Sequence, residues 1–156
     1  MNGTSPEVEH ELRPGEVAIE LPAQTDAGLY FIGVIRTPWG TRRECPKRGS
    51  PDGPVCTIIV GERWHAALGG IERYRRLQIL YWMDRARRDL VLQSPAGGNT
   101  TGTFALRSPV RPNPIASSIV ELVGTAGTTL RVRGLDCVDG TPLLDLKPEY
   151  PCGGEE

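Results

Sequence analysis

Two arginines four residues apart, Arg107 and Arg111, stand in the stretch GTFALRSPVRPNPIASS (102–118), interleaved with Pro109, Pro112 and Pro114. Proline fixes its own φ and turns the preceding residue toward extended backbone, so neither a helix interior nor a central strand suits this density of prolines. The stretch predicts a strand over 103–106 that runs into a rigid loop. Guanidinium forks on a stiff loop, with Ser108 and Asn113 beside them, suit bidentate capture of a carboxylate or phosphate. The competing reading is a proline-rich surface turn whose arginines are only solvated. A second candidate group is Asp136, Asp139 and Asp145, three carboxylates within ten residues. Asp136 and Asp139 could accept hydrogen bonds from ribose hydroxyls or an ammonium group, or one could act as a base. Asp139 could equally do no more than open a turn, and Asp145 cap a strand end. A divalent metal held by all three would have to bridge the intervening strand, so no metal is expected. The third candidate is the basic loop from Arg36 to Arg48, with Arg42, Arg43 and Trp39 inside it. Cations interleaved with an aromatic ring suit phosphate contact and base stacking, and a solvated surface loop is the alternative.

Short strands must position these groups. Strand-like runs cover 16–21, 29–35, 56–60, 77–83, 118–123, 129–135 and 143–146. Residues 129–135, TLRVRGL, alternate polar and apolar as a strand with one wet face should. Gly124 to Gly127 and the Asp139-Gly140 pair carry hairpin turn chemistry. Residues 77–83 have partly helical spacing but are rich in strand formers, and the sequence predicts a buried strand there. A helix is expected over 62–68. Many short strands between Gly/Pro turns predict a mainly β fold, a compact mixed β-barrel of about seven strands with one or two short helices. Residues 1–11 read as a flexible lead-in, 12–152 as a single barrel domain and 153–156 as a tail.

At 156 residues, with 38% hydrophobic and 24% charged, the chain has the profile of one globular domain. The net charge of −1 conceals an uneven distribution: residues 30–111 carry 14 Lys/Arg against 6 Asp/Glu, and the remainder is acidic. A basic middle is compatible with nucleic-acid contact, which the overall pI near 6.2 alone would discourage. Cys45, Cys56, Cys137 and Cys152 form no C-x-x-C pair, and buried reduced thiols in a cytoplasmic protein are expected. No secretory leader or membrane-spanning stretch is read from the sequence. Gly97 to Gly102 lacks the lysine of a phosphate loop, and no G-x-G-x-x-G opens a helix. The residues alone therefore reach a β-barrel with an arginine-bearing rigid loop and a carboxylate turn.

FALRSPVRPNPI (104–115) resembles the signature loop of the TsaA-like family, the family of the TrmO-type tRNA methyltransferases. Three more stretches resemble it in the same order: IGVIRTPWGTRRECPKRG (32–49), LQILYWMDRA (77–86) and GLDCVDGTPLLDLKP (134–148). Together they span residues 29–151. The resemblance implies a compact mixed barrel, a homodimer, and S-adenosyl-L-methionine bound outside any Rossmann fold between the two subunits. It implies cofactor contacts from Pro46, Lys47, Arg48, Asp84, Arg85, Arg107, Ser117, Asp136, Cys137, Val138 and Asp139. The implied reaction is methyl transfer to N6 of threonylcarbamoyl-adenosine beside a tRNA anticodon, with Asp136 or Asp139 taking the proton. Arg42, Arg43, Arg111 and Asn113 are the residues expected to hold that RNA; neither DNA nor a membrane is an expected partner.

The chain departs from the family pattern at several positions. Tyr74-Arg75-Arg76-Leu77 stands where many relatives read Phe-Ser-His-Leu, and Asp84 stands where they place a histidine. Leu106 replaces a threonine, Ala116-Ser117 a Gly-Leu or Gly-Met pair, and Glu149 interrupts a Lys-Pro-Tyr. The C-terminal extension of some bacterial members is not expected here. These departures fall on the acceptor side more than on the cofactor side. They keep two alternatives open: a non-catalytic S-adenosylmethionine-binding regulatory barrel, and a methyltransferase with another small-molecule or RNA acceptor.

Overall fold

A computed structural model of the chain describes residues 10–150. Among these residues nine strands form: β1 (Val17–Ala18), β2 (Gly33–Arg36), β3 (Val55–Val60), β4 (Arg76–Trp82), β5 (Leu90–Gln93), β6 (Thr101–Gly102), β7 (Ile115–Ala126), β8 (Thr129–Arg133) and β9 (Thr141–Pro148). The only helical elements among the described residues are 3-10 turns at Glu62–Leu68, Ile71–Arg73 and Thr103–Ala105. These residues group into two compact units, one from 10–28 with 83–115 and the other from 29–82 with 116–150.

The larger unit is a closed barrel in the order β2-β3-β8-β7-β4-β9. Its strands alternate as period-two elements should. Leu77, Ile79 and Tyr81 of β4, Cys56, Ile58 and Val60 of β3, and Leu130 and Val132 of β8 are all buried. The ambiguous stretch 77–83 is thus a strand, as its β-branched and aromatic content indicates, and the expected helix at 62–68 is a 3-10 helix. Gly127, at φ +59, opens the two-residue β7–β8 turn, and no non-glycine residue among those described has positive φ. Glycine at the first central position alone is the signature of a type II′ hairpin.

The Asp139-Gly140 turn is not a hairpin. β8 lies between β3 and β7, whereas β9 lies between β2 and β4, so the segment 134–140 carries the chain from one strand to a non-adjacent one. Two runs expected as strands are shorter than predicted: 16–21 reduces to Val17–Ala18, and 29–35 to Gly33–Arg36. Cys56 and Cys137 are buried free thiols and Cys45 is half-buried; Cys152, most of the lead-in and the tail lie outside the described residues. No described helix is long and apolar enough to cross a membrane.

The smaller unit contains the sheet β1-β5-β6. Thr103–Leu106, expected as a strand, is instead a 3-10 turn, because Leu106 N–H donates to Thr103 O (3.1 Å). The buried Thr103 hydroxyl donates to Leu90 O at 2.7 Å, which directs the chain out of the sheet there. Glu16 organises the opposite edge. Its carboxylate accepts from Arg13 N–H (3.0 Å), Ser94 N–H (3.1 Å) and His10 Nε2 (2.8 Å). Burial alone would raise its pKa, but these hydrogen bonds outweigh burial and hold it at about 2. A carboxylate depressed below its ordinary 4.5 stabilises the fold above that value, and the stabilisation is lost as pH falls toward 2. Thermal melts of native protein and Glu16→Gln are therefore expected to differ at pH 6 and to converge between pH 4.5 and 2. A gap independent of pH would show that the carboxylate charge contributes nothing.

Candidate functional site

The barrel has two ends, and two of the three candidate carboxylates, Asp136 and Asp139, lie together at one of them. There β2 gives way to residues 37–39, β4 ends at Tyr81-Trp82, and the segment 134–140 enters β9. Tyr81 is 3% exposed, and a phenol buried this deeply needs a partner for its hydroxyl. It finds two: the hydroxyl donates to Asp136 Oδ1 at 2.9 Å and lies 2.9 Å from Ser118 Oγ. Burial first, and the Asp136 charge second, push the phenol pKa well above its ordinary value, so Tyr81 remains a donor. Asp136 Oδ2 makes no hydrogen bond among the described residues and is available to a ligand.

Asp139 has a different employment. Its Oδ1 accepts from Thr37 N–H (3.1 Å), its Oδ2 lies 3.5 Å from Arg36 Nη1, and its own N–H donates to Trp39 O (2.7 Å). Thr37 Oγ1 donates in turn to Cys137 O at 2.8 Å. The segment 136–139 is thus laced to the start of the basic loop, with Trp39 held beside it. Cys137 is buried, and burial pushes its thiol up to about 12, so it is no nucleophile. Val138 contributes backbone: its carbonyl accepts from Thr141 Oγ1 at 2.6 Å. Asp145 is remote from this cluster, on β9 and paired with Lys147 at 2.9 Å. No group of three or more metal-ligating side chains forms among the described residues.

The far end of the basic loop is fixed by a close backbone contact. A Cβ built at Gly49 would lie 2.6 Å from the Gly134 carbonyl carbon and nearer still to its oxygen. Only glycine lets the loop rest on the segment leading to Asp136. Between these anchors Glu44 braces a turn by accepting from Thr41 N–H (2.7 Å) and Thr41 Oγ1 (3.0 Å). Pro46 is exposed, as are Arg42, Arg43, Lys47 and Arg48, and none of these four cations pairs with a carboxylate among the described residues. Ser117, on β7, accepts from Gln78 Nε2 at 3.0 Å.

The remaining predicted residues belong to the smaller unit. Arg107 is exposed on the proline loop. Arg111 folds back on that loop, its Nη1 donating to Leu106 O (3.0 Å) and Ser108 O (2.9 Å). Asn113 Oδ1 accepts from Arg88 Nη2 (3.2 Å), and Arg88 Nε donates to Pro112 O (2.5 Å). Asp84 and Arg85 are exposed in the turn closed by Ala86 N–H to Met83 O (3.0 Å). Beneath the loop, buried Gln93 donates through Nε2 to Val110 O (2.7 Å) and Thr103 Oγ1 (2.9 Å). Sequence reasoning gave Tyr81, Ser118, Thr37 and Gln93 no role. The alternation of β4 was the available signal for Tyr81, since it puts the hydroxyl inside the barrel.

A family model, the tRNA-methyltransferase O N-terminal domain, matches residues 34–152. The chain belongs to this family. The tRNA-methyltransferase O relatives include a probable S-adenosyl-L-methionine-binding protein, VirR, of Rhizobium radiobacter, 55% identical over 88% of this chain and 79% of its own length. An S-adenosyl-L-methionine-binding protein of Archaeoglobus fulgidus is 38% identical over 80% of this chain and 92% of its own. The tRNA (adenine(37)-N6)-methyltransferase of Escherichia coli is 36% identical over 77% of this chain but only 56% of its own length. A crystal structure of TrmO from Pseudomonas aeruginosa superposes with a TM-score of 0.67 at 29% identity, covering 85% of this chain and 59% of that one. The chain thus spans somewhat more than half the length of the solved tRNA-methyltransferase O structures.

Proposed function

We propose that the chain binds S-adenosyl-L-methionine and transfers its methyl group to N6 of threonylcarbamoyl-adenosine in a tRNA anticodon loop. The observation that carries the reading is Asp136, held by Tyr81 with one carboxylate oxygen free, on a segment laced to a basic loop containing Trp39. This donor set fits the cofactor: Asp136 can accept from its hydroxyl or ammonium groups, and Lys47 and Arg48 offer cations for its carboxylate. When bound, the cofactor supplies an electrophilic methyl on a sulfonium, whose positive charge is neutralised as the methyl leaves. The work left to the chain is then alignment of donor and acceptor, together with removal of one proton. Asp136 would take the N6 proton as N6 accepted the methyl group that the bound cofactor supplies, the sulfur keeping the bond pair. The N6–H of a urea-like group is acidic enough for a carboxylate to serve. Arg42 and Arg43 contact RNA phosphates, and the contact weakens with salt as counterions are released.

The family relation and the exposed apolar side chains Ile119 and Val123 on β7 support a two-fold dimer as the working form. A labelled-methyl assay tests the whole reading. tRNA carrying the threonylcarbamoyl group is expected to be methylated, and tRNA without it is not. Light scattering on the same sample is expected to give twice the 17.0 kDa chain mass. Tight cofactor binding without transfer to either RNA would establish a binding barrel or a different acceptor. Absence of cofactor binding would end the methyltransferase reading altogether.

A further inference from the structure

The other end of the barrel holds a cleft that the methyl-transfer chemistry does not use. Its volume is about 420 Å³, and Trp64, Ile71, Arg73, Tyr74, Leu144 and Asp145 are among the residues lining it. It opens where β2 begins, where β3 and β9 end, and just before β4 starts. Tyr74 stands just before β4 begins, whereas Tyr81, which holds Asp136, stands near its end; between them the lining runs along β9 to Leu144 and Asp145, beside Leu80 and Tyr81.

Aromatic rings and a cation give the cleft its character. Trp64 packs against Tyr30, centroids 6.0 Å apart and planes tilted by 48°; Tyr74 meets Tyr150 edge-on at 6.1 Å. Tyr30 is 78% exposed and Tyr150 72%, so each lining ring has an outer companion standing in solvent. The carboxylates around the cleft are partly neutralised: Asp145 by Lys147 at 2.9 Å, and Glu149 by Arg76 at 2.9 Å. Glu62 and Glu72 remain on the same 3-10 segments, against Arg63, Arg73 and Arg75, none of which pairs with a carboxylate among the described residues. The volume lies at the small end of the roughly 300–1,000 Å³ typical of ligand pockets. A flat ring system with a short anionic appendage matches this shape and chemistry better than a peptide or an acyl chain.

We propose that this cleft is a nucleotide-binding site, with the base against Trp64 and Tyr74 and the phosphate directed to Arg73. The ligand is either one unstacked base of a bound RNA strand or a free nucleotide, since both present the same ring and phosphate. The proposal does not depend on the methyl-transfer reading, which concerns the opposite end of the barrel.

Calorimetry on the full chain, saturated with S-adenosylhomocysteine to block the Asp136 end, tests it with two probes: adenosine 5′-monophosphate and a single-stranded penta-adenylate. Stacking on one aromatic ring is a large part of such binding, so Tyr74→Ala is expected to weaken it about tenfold to a hundredfold. Arg73→Glu, a change at an exposed side chain, is expected to weaken it several-fold while leaving the melting temperature unchanged. Both variants keep the native affinity for S-adenosylmethionine. Equal binding of both probes identifies a free-nucleotide site, and binding of penta-adenylate alone identifies an RNA contact. Failure of the native protein to bind either probe, or binding unaffected by both substitutions, overturns the proposal.

Discussion

Asp136→Asn is expected to lower kcat for methyl transfer by about 10²–10⁴-fold, the usual contribution of a positioned base, while the protein stays folded and binds RNA as before. Asparagine has nearly the shape of aspartate, and its side-chain oxygen can still accept from the Tyr81 hydroxyl that now lies 2.9 Å from Asp136 Oδ1. What the substitution removes is the capacity to take a proton and the negative charge facing the cofactor. Tyr81→Phe separates positioning from proton transfer. It deletes the hydroxyl that holds both Asp136 and Ser118 but leaves the carboxylate in place. Its effect on kcat is expected to be smaller, roughly tenfold, in line with the loss of one hydrogen bond to a charged group. Single-turnover rates with saturating cofactor, compared with circular-dichroism melts of each variant, check both expectations. Native turnover in Asp136→Asn would mean that the N6 proton leaves by another route, and Asp136 would then be a binding residue only.

The parts of this molecule legible in its sequence are those governed by local pattern. β4 was legible in its content of strand formers despite partly helical spacing, and β8 in the alternation that buries Leu130 and Val132. The basic loop, the carboxylate segment and the proline loop could each be found by residue type alone. What remained hidden depends on partners distant in the chain. Thr103–Leu106 carries strand-forming residues, yet the buried Thr103 hydroxyl is claimed by Leu90 O and Gln93, and the segment turns. Asp139-Gly140 has hairpin chemistry, and Gly140 does adopt φ +84, but which strand follows which around a barrel is not written in a turn. β1 and β6 are two residues each, too short for any periodicity to register. The same non-locality divides residues that looked alike. Arg111 resembles Arg107 in sequence, but its guanidinium turns back to brace its own loop through Leu106 O and Ser108 O. Asp139 resembles Asp136, but both its oxygens face the Arg36–Thr37 corner.

Gly49→Ala is the second change with a large expected effect, and it acts without touching a charged or catalytic group. Its added methyl would meet the Gly134 backbone, and Gly134 itself sits at φ +118 against Ile119 O, so neither side of the contact can give way cheaply. Backbone against backbone leaves no rotamer to absorb the clash, unlike a methyl meeting the end of a flexible side chain. Overpacking of this kind costs about 1–3 kcal/mol, which for a chain of this size lowers the melting temperature by roughly 2–4 °C per kcal/mol. The loop has an alternative to unfolding: it can lift away from 134–136, taking Pro46, Lys47 and Arg48 with it. In that case the melting temperature changes little, while hydrogen exchange rises over 40–50 and 134–139 and affinity for S-adenosylmethionine falls. Gly124→Ala is the matched control, because a Cβ there has no atom within 4 Å and lies on a barrel strand of the same unit. If Gly49→Ala behaves like that control in melting, exchange and cofactor titration alike, the loop is not seated on Gly134, and the cations it carries have no fixed relation to Asp136.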